Sequence, residues 1–92
     1  LEDNPGLYIS AEPAMTESGR LIATILNRTN LKLRNLSIEF SVRVNGQPMQ
    51  TILSVAQLAP STQGQLDSGW QFTDTDQLEA VRVRVLKARA DP

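Results

Sequence analysis

The chain has 92 residues, of which 40% are hydrophobic and 21% charged, and its formal net charge is −1. These values are typical of one globular domain with a single core, and they provide no overall field for nucleic acid or anionic lipid. The apolar runs are far shorter than the ~20 residues that span a bilayer, so we expect no direct membrane insertion.

The sequence contains neither cysteine nor histidine. This excludes disulfides, a conventional zinc site and nucleophiles activated by an imidazole. We therefore expect a protein that is not an enzyme, with no catalytic residues, no metal and no cofactor. The remaining enzymatic alternative is a pair of carboxylates, as in glycoside hydrolysis, which also needs a cleft.

Residues 1–92 are predicted to form one domain. The chain begins Leu-Glu-Asp-Asn-Pro, without an initiator methionine. We therefore expect a domain excised from a longer protein, and a monomer when isolated.

Two strands are predicted in the first third of the chain. Residues 7–11 form a short apolar segment that Pro13 closes, and residues 17–19 form a turn. Residues 20–27 are almost continuously apolar and rich in β-branched side chains, which is typical of a central strand covered on both faces. A polar connection over residues 28–34 follows.

The strongest local signal is a β-hairpin in the middle of the chain. Residues 36–44 alternate between apolar and polar side chains, the period of a half-buried strand. Asn45-Gly46 is the preferred pair for a two-residue type I′ turn, in which both central residues need φ > 0. Such a turn fixes the register and pairs Phe40 with Thr51.

The second strand of this hairpin is predicted over residues 47–56. Its apolar residues fall on the face that the first strand buries. Pro48 has no N–H to donate, so this strand is expected to be an edge strand or to bulge near the turn.

Two further segments complete the predicted strands. Residues 63–72 place apolar side chains at even spacing, and residues 73–77 form a turn or one helical turn. Residues 79–88 alternate again, with Arg82 and Arg84 pointing outward and Val81, Val83 and Val85 inward.

Six strands separated by turns predict an all-β, antiparallel β-sandwich of about six to seven strands, with a small barrel as the alternative. Trp70 is expected in its core rather than exposed as an anchor for a partner, because few aromatic residues are available to fill the interior. The predicted core residues are Ile22 or Ile25, Ile38, Phe40, Val42, Leu53, Leu66, Trp70, Val83 and Val85.

An ordered series of motifs connects the chain with a known family. The motifs are the strand over residues 21–27 ending in Asn27-Arg28-Thr29, the alternating strand over residues 37–42 leading into Asn45-Gly46, and the segment Leu-Ala-Pro-Ser-Thr-Gln-Gly at residues 58–64. The series resembles the immunoglobulin-like FxLYD domains and their relatives in bacterial envelope proteins. The resemblance implies an Ig-like, non-catalytic accessory module for protein-protein interaction or spacing in a larger periplasmic or cell-envelope protein.

One candidate binding surface is a basic stripe. Arg43, Arg82 and Arg84 point away from the core, and they form a stripe if their two strands are neighbours. This stripe would bind an acidic partner or phosphate groups. Alternatively, it is a solvated face on which the arginines meet Glu39 and Glu79 across strands. No aromatic residues interleave with it, which argues against single-stranded nucleic acid.

A second candidate surface is the edge of the strand over residues 47–56. Its outward residues Gln50, Ile52 and Ser54 are uncharged, and Pro48 is the only visible guard against pairing with another strand. We expect a neighbouring domain or a partner strand to cover this edge, as in peptide-binding modules that accept an added strand. The alternative is a spacer whose edges bind nothing.

Asp74 and Asp76, with Glu79 and Asp67 nearby, form the only acidic cluster in the sequence. They would serve as a weak Ca²⁺ loop, since hard cations take several carboxylate oxygens. The alternative is favoured, namely that they cap a turn and face water, because no glycine within the cluster provides the sharp bend of an EF-hand loop.

Overall fold

The computed structural model describes residues 5–90. Within this range the chain forms a short 3₁₀ turn, Pro5–Leu7, followed by six β-strands and no α-helix. The strands are β1 (Ile9–Met15), β2 (Arg20–Asn27), β3 (Leu33–Val44), β4 (Gln47–Leu58), β5 (Gln63–Gln71) and β6 (Leu78–Ala90).

The six strands form two antiparallel sheets of three strands each, which pack as a β-sandwich. The strand orders are β1-β2-β5 and β4-β3-β6. Within residues 5–90 no ladder joins the two sheets, so the predicted sandwich is confirmed and the barrel alternative is wrong. On one side of the sandwich β1 lies against β6, whereas β5 and β4 contact each other far less on the opposite side. That second side is therefore more open.

The predicted hairpin is confirmed in both its turn and its register. Asn45 has φ of 51° and Gly46 has φ of 82°, so both central residues are in the left-handed region that a type I′ turn requires. The ladder pairs Phe40 with Thr51, as predicted. The other predicted pairs are also present, namely Val44 with Gln47, Val42 with Met49, Ile38 with Leu53 and Leu36 with Val55.

Pro48 introduces no bulge, because its position needs no donor. The residues that flank a two-residue turn exchange both backbone hydrogen bonds, and the following pairs alternate between bonded and non-bonded. Pro48 lies opposite Arg43, one step from the bonded pair Val44–Gln47. An N–H at Pro48 would point away from β3 toward the free edge, so its absence leaves the ladder intact.

Pro13 does not end the first strand, and that prediction was wrong. β1 continues to Met15, with Pro13 opposite Ala23, and residues before Ile9 form the 3₁₀ turn instead. β1 is an edge strand of its sheet. A proline is tolerated there where its missing N–H would face away from the neighbouring strand.

The core lies between β2 and β3, the central strands of the two sheets. On β2, Leu21, Ala23 and Ile25 are at most 3% exposed, which selects Ile25 over Ile22 as the core residue. Ile22 is half-buried on the opposite face, so β2 is central as predicted but is not fully covered on both faces. On β3 the buried side chains are Leu33, Leu36, Ile38, Phe40 and Val42.

The other predicted core residues lie at the margin of this core. Leu53, Leu66, Trp70, Val83 and Val85 are half-buried and pack against it. Trp70 makes an edge-to-face contact with Phe72, with ring centroids 6.2 Å apart. Phe72 is the more deeply buried of the two rings, so Trp70 contributes to the core from its periphery on β5.

One buried polar side chain joins three segments at the end of the sandwich. Asn27 is completely inaccessible, and its Nδ2 donates to the carbonyl oxygens of Leu31 (2.8 Å), Ala59 (3.0 Å) and Leu58 (3.3 Å). Its Oδ1 accepts from the backbone N–H and the hydroxyl of Thr29. The buried Asn27 side chain thus bonds partly buried backbone groups on both the connection to β3 and the turn that follows β4.

Replacing Phe40 with alanine should destabilise the protein strongly. Phe40 is fully buried on the central strand β3, and a large-to-small change at such a site costs about 3–5 kcal/mol. Urea unfolding monitored by Trp70 fluorescence measures the loss. Ile52→Ala on the exposed face of β4 is the control and should change the unfolding free energy by less than about 0.5 kcal/mol. Equal effects of the two variants would contradict this core.

Asn27→Ala should also be destabilising, because the Leu58 carbonyl and the Thr29 N–H lose their side-chain partner. The Leu31 and Ala59 carbonyls each lose one of two side-chain donors. We expect a loss of at least about 2 kcal/mol in urea unfolding. Asn30→Ala, at an exposed position of the same connection, is the matched control and should have almost no effect. Indistinguishable unfolding curves for the two variants would show that water replaces the Asn27 amide without cost.

Candidate interaction surface

The structure brings the two predicted binding surfaces together on one side of one sheet. The exposed side of the β4-β3-β6 sheet is called the outer face below. On it, Ser41 lies between Gln50 of β4 and Arg82 of β6, and the next outward residue, Glu39, lies between Ile52 and Arg84. All six predicted partner-binding residues belong to this face: Arg43, Arg82, Arg84, Gln50, Ile52 and Ser54.

A polar row crosses all three strands of the outer face. Glu39 Oε1 accepts from Nη2 of Arg84 at 3.1 Å, and its Oε2 accepts from Nε2 of Gln50 at 2.7 Å. The Glu39 side chain is only 12% exposed, whereas that of Arg84 is 69% exposed. The predicted cross-strand ion pair is therefore present for Arg84, whose side chain stays largely exposed.

The other two predicted arginines are arranged differently. Arg43 lies opposite Glu79 in the β3–β6 ladder. Within residues 5–90, however, the side chains of Arg43 and Arg82 make no ion pair. In the basic stripe, Arg84 is thus paired with Glu39, as on a solvated face, whereas Arg43 and Arg82 are available to an acidic partner.

A bulge in β6 adds Lys87 to the outer face, and sequence reasoning missed this residue. Strict alternation from Arg84 would direct Lys87 into the sandwich. The ladder instead pairs Val85 with Ile38 and Lys87 with the adjacent Ser37, so one extra residue is accommodated on β6. The signal in the sequence is the break in alternation at Leu86, which follows the inward Val85.

Two of the shallow depressions along β6 are lined by cations of the outer face that recur below. One, of about 580 Å³, is lined by Arg82 and Arg84 together with Glu39 and Gln50, and also by Pro13 of β1 in the other sheet. The other, of about 500 Å³, is lined by Lys87 and by residues of the facing part of β3. Both are open hollows beside cationic side chains.

The free edge of β4 borders the same face. Because Gln47 is in a bonded pair with Val44, the N–H groups of Gln50, Ile52 and Ser54 point away from β3. No residue of β4 is charged, and Ile52 is 53% exposed. The side chains predicted to meet a partner and the unpaired N–H groups therefore belong to the same residues.

The predicted acidic residues do not converge. Asp67 Oδ2 accepts from Nε of Arg20 at 2.7 Å, whereas Asp76 accepts from the backbone N–H of Thr73 and from Nδ2 of Asn45. Within residues 5–90, no three aspartate or glutamate side chains lie close enough to hold a metal ion. Asp76 instead joins the β5–β6 connection to the hairpin turn.

Hydrogen bonding lowers the pKa of two of these carboxyl groups. The Arg20 guanidinium, with help from the backbone N–H of Gly69, holds the pKa of Asp67 below its usual value. The backbone N–H of Thr73 and the Asn45 amide lower the pKa of Asp76. Asp67 thus joins β5 to Arg20 of β2, and Asp76 closes the turn that begins at Thr73.

Comparison with known proteins returns no relative. No protein-family model, curated protein or solved structure matches the chain. None of the helical segments within residues 5–90 has the length and apolar character needed to cross a membrane.

The lowered carboxyl pKa values predict a loss of stability in acid. A group whose pKa is lower in the folded state stabilises the fold above its unfolded pKa, about 3.8 here, and this contribution disappears as pH falls through the folded pKa. Urea midpoints measured between pH 6 and pH 2 should therefore fall mainly below pH 4. The Asp67→Asn, Asp76→Asn double variant should lose less of its remaining stability over that interval.

Asp74→Asn is the control for this pH dependence. Its carboxylate makes no hydrogen bond within the described residues, so the variant should follow the wild-type curve. A double variant with an unchanged acid dependence would show that other groups determine it.

Proposed function

We propose that the chain is a non-catalytic, Ig-like interaction module that binds an extended partner segment along the free edge of β4. The observation that carries this proposal is a difference among the four edge strands of the described residues. β4 alone contains no charged residue. Edge strands normally carry charges, prolines or bulges that prevent pairing with another chain.

The other three edge strands carry such protective features along their length. β1 has Glu12 and Pro13 in the middle of the strand. β5 has Asp67 and a bulge at Gly69, whose φ is 87°. β6 carries exposed cations and an irregular register, with Ala80 at φ of 52°. On β4 the only guard is Pro48, at the end next to the turn.

β4 is also a good template for pairing. Its ladder with β3 runs without a register shift over all 12 residues, which is about 40 Å of extended chain. Outward N–H groups at Gln50, Ile52 and Ser54 alternate with carbonyl groups in the pattern that an added strand needs. Main-chain hydrogen bonds would supply affinity, and the adjacent side chains would supply selectivity.

An added strand would also cover apolar surface at the open side of the sandwich. Leu53 and Val55 of β4, and Leu66 and Trp70 of β5, are only half-buried there. Covering these side chains adds hydrophobic stabilisation of about 25 cal/mol per Å² of apolar area removed from water. The partner segment is therefore expected to present apolar residues on the side that faces β5.

The accessory role in a bacterial envelope protein follows from the sequence resemblance and belongs to the same proposal. In that setting the added strand comes from a neighbouring domain of the parent protein or from a separate polypeptide. A pure spacer is the alternative, and it would leave the β4 edge exposed to solvent.

Weak self-pairing of the isolated chain tests the proposal. An open β4 edge should pair with itself, so sedimentation at increasing concentration should show a monomer with a minor, concentration-dependent dimer. Ile52→Lys places a charge on the edge and should weaken the dimer at least about tenfold, since buried or opposed charges oppose strand pairing. Hydrogen exchange at Ile52 and Ser54 should slow as the dimer forms.

Met15→Lys is the matched control. Met15 is 43% exposed on the edge strand β1 of the other sheet, so this variant adds the same charge away from β4. It should leave dimerisation unchanged. A wild-type chain that stays monomeric at about 1 mM, with fast exchange at both amides, would contradict the proposal, as would equal effects of the two lysine variants.

A further inference from the structure

We infer that the outer face along β6 is a second binding surface, and that it takes an extended acidic polypeptide segment. This surface is two strands away from the free edge of β4. Binding at this surface therefore does not require strand addition at that edge.

The first observation is the distribution of charge. The chain as a whole has a net charge of −1, yet most of its cations are exposed on two neighbouring strands. The only carboxylates on these strands are Glu39 and Glu79. Of the nine lysine and arginine residues in the sequence, β3 and β6 carry Arg34, Arg43, Arg82, Arg84, Lys87 and Arg89.

The second observation is that Glu39 does not cancel this charge toward solvent. Its side chain is 12% exposed, and its carboxylate accepts hydrogen bonds from Arg84 and Gln50. A guanidinium has five N–H donors, and Arg84 uses one nitrogen on Glu39. Arg84 therefore retains donors for a second carboxylate, and the unpaired Arg82 lies next to it.

The third observation is the spacing of the cations along β6. Arg82 and Arg84 are alternate residues of one strand, so their Cα atoms are about 6.6 Å apart, the same interval as alternate side chains of an extended peptide. Because of the bulge, Lys87 lies opposite Ser37, two residues from the Glu39 that faces Arg84. It is therefore only about 6.6 Å further along, beside the second depression. A segment of about five extended residues would reach both hollows.

The chemistry of the face favours a polypeptide over other polyanions. The aromatic residues of the described chain are Tyr8, Phe40, Trp70 and Phe72, and none is on the outer face. The outer face therefore offers no aromatic ring on which a base could stack, and such stacking is a main source of affinity for single-stranded nucleic acid. Between the cations lie Ser37 and Ser41, whose small side chains allow a peptide backbone to approach closely.

The proposed occupant is thus an extended segment with aspartate or glutamate at alternate positions. Its carboxylates would accept charge-assisted hydrogen bonds from Arg82, Arg84 and Lys87. Because these contacts are made at an exposed surface, the affinity should fall steeply with ionic strength.

An NMR titration with a synthetic decapeptide of alternating Glu and Thr tests this inference. Amide shifts should be confined to the outward residues of β3 and β6, and a Gln-Thr decapeptide should produce none. A tetrapeptide of the same pattern should bind at least about tenfold more weakly, because it reaches only one hollow.

The variants are matched in charge. Arg82→Glu, Lys87→Glu should weaken decapeptide binding at least about tenfold, whereas Arg28→Glu, Lys32→Glu makes the same change of net charge on the connection between β2 and β3 and should have little effect. Retained amide dispersion checks that both variants are folded. Ile52→Pro removes an outward N–H from the β4 edge without adding charge. It should bind the decapeptide as the wild type does, which separates this surface from the β4 edge.

Three results would overturn the inference. The first is the absence of shifts with the Glu-Thr peptide at low salt. The second is equal weakening by the two charge-matched variants, which would indicate a response to net charge alone. The third is tighter binding of an oligothymidylate or of anionic phospholipid vesicles than of the decapeptide, since this would assign the surface to another class of polyanion.

Discussion

The buried carboxamide of Asn27 is the interaction on which the arrangement of this sandwich depends. It lies where β2 ends, and it contacts the connection into β3 and the turn that β4 makes before β5. Without this amide the Leu58 carbonyl would lose its side-chain donor, and a buried carbonyl without a donor costs about 1–3 kcal/mol. The Leu31 and Ala59 carbonyls would keep the hydroxyls of Thr29 and Thr62 as donors. One side chain therefore fixes the point where β4 stops, and with it the length of the edge that is open to a partner.

A comparable polar contact holds the opposite end. The Asn45 side chain donates to Asp76 and accepts from the backbone N–H of Gln77, while its own N–H donates to the Gln77 carbonyl. The left-handed conformation of Asn45 serves the hairpin turn, and the same side chain attaches the β5–β6 connection to it. Both ends of β3 are thus anchored by asparagine, and the hydrophobic core lies between them.

The two edges of the β4-β3-β6 sheet have opposite character, and this asymmetry is what gives the molecule candidate functions. β6 combines cations with an irregular ladder, which blocks strand addition but concentrates positive charge on its exposed side. β4 combines a regular ladder with an uncharged sequence, which leaves its backbone groups open. The same central strand therefore separates a surface suited to side-chain recognition from an edge suited to main-chain recognition.

The sequence by itself determined the fold class and the hairpin. Alternation and the Asn45-Gly46 turn are local signals, because strand periodicity and positive φ depend on neighbouring residues only, and they fixed the β3–β4 register correctly. The neighbours of each strand were decided by tertiary structure. The local pattern wrongly predicted that β1 ends at Pro13. The missing N–H of a proline weakens a strand only if it would face the neighbouring strand, and the sequence does not show on which side that strand lies.

The candidate interaction surface was likewise predicted in part from the sequence and decided in part by the tertiary structure. Composition and pattern predicted that Arg43, Arg82 and Arg84 point outward, and that Gln50, Ile52 and Ser54 form an uncharged edge. Only the pairing of β3 with both β4 and β6 places the two sets on one face. The bulge that turns Lys87 outward is likewise a tertiary feature, because an extra residue in one strand is defined only against the ladder of the next.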